Sequence, residues 1–432
     1  MKNLIDFIKA LVQRYFIDSF YLTFPQIMAI LIGLITFPII LANLPIEDYG
    51  LFQFVLALEF WLVVLSGNNI TLGAKRGIAK GLNGTFLFAF FYRLKLLIII
   101  GLVGFIASFF IYNAGFTTMS LLLTIICVFL ILGYLFQISF PEFFIAKKQF
   151  RSFAIWQIAI SILTITGATV AAFLTHNILI FAITQLGLAT FISWLGWLYV
   201  VKKNNLVLAY KKGEIDKECI PYGKKLIPAD LISLTAAKIS HFIIGPFFGF
   251  ANLAVFSIAN KLRDHFAGFM KQARPLLYTD FARNKRGRLI ETLNSKLKYG
   301  IIISVIITLF CLVAGYLYIK LFLPQAYQTA IIYFFILSLA LPMVILQIIM
   351  HVILEVNFRY KELSALAIIP NLIKIVLILG LGLAFKIIGV CWGIVLGAWI
   401  SFGFYYFFTL KREVAIKFIH QYPWLEKLAK KY

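Results

Sequence analysis

Apolar residues run through this chain in long blocks separated by short clusters of polar and charged positions. Blocks such as Leu96 to Tyr112 and Ile301 to Tyr316 are apolar on every side of a helical wheel. Strands of a membrane barrel would instead alternate polarity over ~10 residues, so a β-barrel is excluded. A hydrocarbon layer of roughly 30 Å takes about 20 helical residues to cross, and backbone groups inside it need partners within their own segment. Each block therefore predicts a spanning helix. The predicted spans are 19–42, 50–72, 94–112, 118–139, 153–174 and 178–200, then 226–245, 251–273, 299–319, 328–352, 364–384 and 388–409. The expected fold is an all-α polytopic membrane protein of about twelve transmembrane helices.

The longest polar connection, 201–225, straddles the arithmetic middle of the chain at residue 216. It divides an N-terminal six-helix bundle (1–200) from a C-terminal one (226–410), with a cytoplasmic amphipathic tail at 411–432. Before the first span, Leu4, Ile8, Leu11, Val12 and Tyr15 interleave with Lys2, Lys9 and Arg14, the pattern of an interfacial helix rather than a cleavable signal. The halves read as repeats. Pro25 followed by Tyr49-Gly50-Leu51-Phe52 has a counterpart in Pro228 followed by Leu253-Ala254-Val255-Phe256, at an offset of 203 to 204. Internal similarity between two six-helix halves is a transporter signature and implies pseudo-twofold symmetry.

Composition agrees with lipid as the solvent: 62% hydrophobic and only 13% charged residues, with a mean hydropathy of +0.95. Of the 40 Lys and Arg residues, 34 fall in the two termini and in alternate connections. The positive-inside rule then predicts an inner-membrane protein with both termini in the cytoplasm. The net charge of +23 is explained by that bias and by anionic lipid headgroups, and nucleic acid is not an expected partner. Connections on the opposite side are short, which argues against an enzyme that would carry catalytic groups in large external loops.

Cys127, Cys219, Cys311 and Cys391 have no metal-ligand spacing and read as reduced packing residues. His241, His265 and His351 show no paired ligand spacing. No glycine loop ending in Lys-Ser or Lys-Thr is present, and Gly73 to Gly84 reads as a basic linker rather than a phosphate cradle. No metal, cofactor or bound ATP is expected. Ionisable residues within spans are the informative ones, because each is costly in lipid and faces protein or water. Glu59 stands in span two beside Phe60 and Trp61. Asp230, Lys238 and His241 lie on span seven, Lys261, Arg263, Asp264 and His265 on span eight, and Lys374 on span eleven. At the repeat offset of 204, Glu59 corresponds to Arg263, which predicts a facing acid and base. Lys238, Lys261, Arg263, Lys374 and His241 are the candidate cavity residues, placed to converge on an anion such as phosphate or pyrophosphate. Glu59, Asp230 and Asp264 are the candidates for proton or sodium coupling or for pairing across the bundles. Pro25, Gly33, Pro38, Pro228, Gly245, Pro246, Pro275, Pro342 and Pro370 mark expected bends.

Four blocks carry a family resemblance over nearly the whole chain. They are Phe37-Pro38 through Glu47-Asp48-Tyr49-Gly50-Leu51-Phe52, then Phe144-Ile145-Ala146-Lys147-Lys148-Gln149-Phe150-Arg151, then Val255-Phe256-Ser257-Ile258-Ala259-Asn260-Lys261-Leu262, and last Phe385-Lys386-Ile387-Ile388-Gly389-Val390-Cys391-Trp392-Gly393. In this order the chain resembles the Wzx-type polysaccharide flippases of the MATE-like (MOP) superfamily. Ala254 departs from the glycine usual at the start of helix eight. The resemblance implies two six-helix bundles around a central cationic cavity that alternates between inward and outward access. It also implies a lipid-linked oligosaccharide as cargo, moved for O-antigen or capsule synthesis, with membrane lipids and polysaccharide polymerase machinery as partners. Two rivals stand beside this reading: a MATE-like exporter of drugs or metabolites, expected to show an acid-rich cavity for cationic cargo, and a membrane glycan polymerase.

Overall fold

A computed structural model describes backbone residues 2–271, 289–356 and 360–421, and side chains within 20–268, 299–354 and 365–409. The basic stretch around Pro275, Arg359 and the tail beyond Gln421 lie outside the described residues. Among the described residues every regular element is helical. In chain order these are α1 (Lys2–Asn43), α2 (Ile46–Leu65), α3 (Asn69–Ala79), α4 (Thr85–Asn113), α5 (Thr117–Phe129), a π-helical turn (Leu130–Tyr134), α6 (Leu135–Ala146), α7 (Phe150–Thr175), α8 (Ile178–Lys203), α9 (Leu206–Lys211), α10 (Cys219–Phe248), α11 (Phe250–Lys271), α12 (Leu289–Phe322), α13 (Ala330–Ser338), α14 (Leu341–Val356) and α15 (Tyr360–Gln421).

Nine helices among the described residues are long and apolar enough to cross a membrane, and the pair α13 and α14, bent by 40°, makes a tenth. One further crossing follows from local detail. The 45-residue apolar stretch Ala365–Thr409 of α15 leaves helical geometry at Phe385 and Lys386. Past that break Gly389, Gly393 and Gly397 stand against Leu381, Ile378 and Lys374 respectively, so the two arms of α15 run antiparallel. One glycine per turn on a single face is what brings the arms this close. The expected span eight is α11, whose 22 residues are interrupted by the Lys261 to His265 cluster and which is not among the helices apolar enough to cross. The chain is a multi-pass membrane protein, with a helical element at each of the twelve expected spans and nine to ten of the elements long and apolar enough to cross among the described residues. Large outward apolar side chains such as Phe110, 66% exposed, find their solvent in lipid.

Several boundaries differ from the sequence reading. Span two is broken: α2 stops at Leu65, Gly67 takes φ +75, and α3 continues to Ala79. The basic linker expected from Gly73 onward is for the most part this helix. Ile70, Ala74 and Ile78 form a buried stripe on α3 while Lys75 and Arg76 lie on its outer side, so charge marks a helix face here rather than a loop. Span four carries the π turn, a single wide turn of the kind that marks functional sites in helices. Pro25 and Pro38 lie within a helix that runs unbroken from Lys2 to Asn43. Pro228 and Pro246 lie within α10 and Pro370 within α15.

By contacts the chain forms two compact units. One comprises residues 1–255 with 323–326, the other 256–322 with 327–432. In the first, α1 packs on α7, α7 on α8, α4 on α5, and α10 against both α2 and α3. Its interior is aromatic, with Phe86, Phe140, Phe143 and Phe144 buried together. In the second, α12 packs on α13 and α14, and α15 on α13 and α14, around Cys311, Leu341 and Ile348.

Candidate functional site

The candidate residues and their surroundings sort by unit. In the first unit α2 brings Glu59, Phe60 and Trp61 to a face of α10. Lys238 and Phe242 are one turn apart on α10 and share that face. The Lys238 Nζ stands 4.4 Å from the centroid of the Phe60 ring, a favourable seat for a cation. Phe242 meets Trp61 edge-on at 5.8 Å and Phe54 at 5.6 Å, and Phe54 meets Phe250 at 5.6 Å. Lys238 is also the charged group that acts on the half-buried Glu59. The result is a lysine and a carboxylate set among the rings of Phe54, Phe60, Trp61 and Phe242.

Asp230, two turns earlier on α10, accepts a hydrogen bond from the Asn69 side-chain amide at the start of α3. His241 is 5% exposed, with its Nδ1 3.3 Å from Ser240 Oγ.

By sequence Arg93 counts among the basic residues of a connection, and the structure corrects that placement. It is 1% exposed on α4, in register with buried Phe86, Phe90 and Leu97. Its guanidinium donates to Thr71 Oγ1 through Nη1, and through Nη2 to Ser66 Oγ at 3.2 Å and Asn68 Oδ1 at 3.4 Å. These acceptors all lie at the break between α2 and α3. A cation at the C-terminal end of α2 also meets the negative pole of that helix, so Arg93 fixes the break that follows Glu59. The helical spacing of 86, 90, 93 and 97 is the signal in the sequence that points to its burial. Nearby, Lys75 Nζ and Glu142 Oε2 pair at 2.8 Å, and a cavity lined by Thr71, Arg93, Ser139 and Glu142 has room for about one water.

In the second unit α11 carries Lys261, half-buried, with Arg263 and Asp264. Arg263 Nε donates to Asp264 Oδ1 at 3.1 Å, and Asn260 Nδ2 donates to Asp264 Oδ2 at 3.1 Å. Lys374 lies on the first arm of α15, its methylene stem over Gly397, where a Cβ would stand 2.6 Å from Cγ. Glu59 and Arg263 fall in different units, and each interacts with an opposite charge inside its own: Lys238 for Glu59 and Asp264 for Arg263. Among the described residues no group of His, Cys, Asp and Glu could hold a metal ion, and the four cysteines are free and buried.

Residues 17–270, more than half of the chain, match the family described as Polysaccharide biosynthesis protein. The chain belongs to that family. No curated protein sequence matches the chain, but its fold is found in solved structures. An inward-facing multidrug resistance MATE family transporter of the MOP superfamily aligns with a TM-score of 0.68 and 14% identity, over 93% of this chain and 99% of that chain. The MATE multidrug transporter DinF-BH, solved as a complex, gives 0.60 and 14% over 91% and 95%. A MOP superfamily transporter from Pyrococcus furiosus, described as having a binding pocket of reverse polarity that suggests a different function, gives 0.63 and 15% over 93% and 96%. Membership of the family places the chain in polysaccharide biosynthesis, and the solved structures show that it has the fold of MOP-superfamily transporters.

Proposed function

We propose that this transporter flips a polyprenyl-(pyro)phosphate-linked oligosaccharide from the cytoplasmic to the outer leaflet of the inner membrane, for O-antigen or capsule assembly. The basic connections and both termini face the cytoplasm in this reading. The observation that carries it is the α2 and α10 face, where Lys238 lies over Phe60 with Trp61 and Phe242 beside it. An ammonium suits a phosphate, exposed aromatic faces suit sugar rings, and the family is one of polysaccharide biosynthesis.

A glycan head carries many hydroxyls whose unpaired burial costs several kcal/mol each, while the polyprenyl tail can stay in lipid. The protein therefore has only the head to shelter. Lys238, Lys261, Arg263 and Lys374 receive the phosphate groups, and His241, buried on α10, positions that helix. Glu59, Asp230 and Asp264 are the acids available to couple movement to protons or sodium ions. The flipped unit then passes to polymerase machinery.

Deleting the gene and analysing surface glycan together with lipid-linked intermediates tests the proposal, with Lys238→Ala and Lys374→Ala copies as complementing arms. Complete repeat units accumulating on lipid while surface glycan disappears is the expected result. Unchanged glycan and unchanged intermediates would overturn it and favour an exporter of small molecules.

A further inference from the structure

The segment joining the last helix of the first half to α10 is a built element rather than a loose linker. Gly84 lets it sit on the start of α4: a Cβ there would stand 2.8 Å from both the Ala209 carbonyl oxygen and the Tyr210 Cα. Thr85 Oγ1 accepts from the Asp216 backbone N–H at 2.7 Å, and the Tyr210 ring meets Phe91 at 6.1 Å. Within α9, Leu206 and Ala209 are buried at 0% and 7% exposure, whereas the adjoining Val207 and Leu208 are 49% and 52% exposed. Lys202, Lys203, Lys211, Lys212 and Lys217 are all exposed around them, while of the three acids in the same stretch only Glu218 is.

Position decides what meets this surface. α8 spans the membrane and ends at Lys203, and two residues separate it from α9, a gap of no more than about 10 Å. Leu195 and Tyr199, on the preceding turns of α8, are outward-facing, and Lys203 Nζ donates back to Tyr199 OH at 2.7 Å. The end of α8 is therefore at the lipid headgroups, and α9 begins there with two apolar side chains pointing out and lysines at both flanks.

We infer that α9 and its flanking lysines form an interfacial anchor seated on anionic phospholipid headgroups, with Val207 and Leu208 entering the boundary of the acyl region. Apolar insertion and lysine attraction reinforce each other in such elements, and long lysine stems can lie along the interface with their ammonium groups among phosphates. Because α9 is clamped to α4, lipid held there bears on the end of the helix that carries Arg93. The inference rests on the chain being membrane-spanning and is independent of the cargo.

The full chain can be tested in nanodiscs of phosphatidylcholine alone or with phosphatidylglycerol mixed in. Val207→Cys and, as a reference, Lys217→Cys are each labelled with an environment-sensitive dye, the native cysteines Cys127, Cys219, Cys311 and Cys391 being buried. The dye at 207 is expected to be blue-shifted and quenched by spin-labelled lipid, more strongly with phosphatidylglycerol, and the dye at 217 to stay water-like. Replacing Lys202, Lys203, Lys211 and Lys212 by Gln should reduce co-purified phosphatidylglycerol, by up to roughly fivefold per lysine, with the same thermal melt as the parent. A water-like signal at 207 in both compositions, as for a face reserved for a protein partner, overturns the inference. So does a phosphatidylglycerol preference that survives loss of the four lysines.

Discussion

Gly50 packs against Ala254, 204 positions later in the chain. A Cβ on Gly50 would stand 3.2 Å from the Ala254 backbone nitrogen and would overlap the Phe250 carbonyl.

Gly50→Ala is therefore expected to be among the most damaging single-methyl additions in the protein. Overpacking of a tight contact costs about 1–3 kcal/mol, and here the opposing atoms are backbone, which cannot rotate away. Gly33→Ala is the matched control, since nothing lies within 4 Å of its added Cβ. Thermal melts followed by a fluorogenic thiol reagent would read both, because all four cysteines are buried and react only on unfolding. Equal melting of the two variants would refute the contact.

Arg93 should be the most important polar residue for stability in the first unit. Arg93→Ala removes a buried side chain and strips Thr71, Ser66 and Asn68 of their donor. A loss of about 2–5 kcal/mol is expected from the cavity and the freed acceptors together. Arg93→Met keeps most of the volume and should lose less, because Ser66 already donates to the Val63 carbonyl at 2.6 Å. The same thiol-based melt ranks them, and Arg93→Met melting below Arg93→Ala would show that packing is not part of the effect.

How far the sequence exposes these features depends on the range of the interaction. Span positions are legible because hydropathy is local, and the turn inside α15 is legible because Lys386 and Gly389 interrupt an apolar run. The α2 and α3 break is not, since Lys75, Arg76 and Lys80 punctuate an apolar pattern as a loop would, and only tertiary burial of Ile70, Ala74 and Ile78 reveals the helix. Arg93 is hidden for a related reason. Its partners are 22 to 27 residues away, and hydropathy places any arginine near a span end in water. The approach of Lys238 to Phe60 likewise depends on a pairing of α2 with α10 that no local pattern encodes.

Opposite effects are expected at Glu59 and Lys238 if Lys238 receives an anionic headgroup. Lys238→Gln removes a charge-assisted contact, typically about 1.5–3 kcal/mol, so affinity for a polyprenyl pyrophosphate should fall roughly tenfold to a hundredfold. Glu59→Gln removes the anion that competes for the same ammonium, and affinity should rise. Calorimetric titration of the purified chain distinguishes the signs. Weakening by both variants would assign the pair to structure alone.

Lys386 holds the turn between the arms of α15 with φ 53 and ψ −138, a backbone region that costs an L-residue of order 1–3 kcal/mol and that glycine enters freely. The side chain is exposed, so little packing is lost with it. Lys386→Gly is expected to raise stability by about 1 kcal/mol, since the relief of strain exceeds the added freedom of the unfolded chain. Lys386→Ala retains the Cβ and should leave the melt unchanged. A higher melt for glycine but not for alanine would isolate backbone strain at the hairpin, whereas a lower melt for glycine would mean that the lysine side chain itself holds the two arms together.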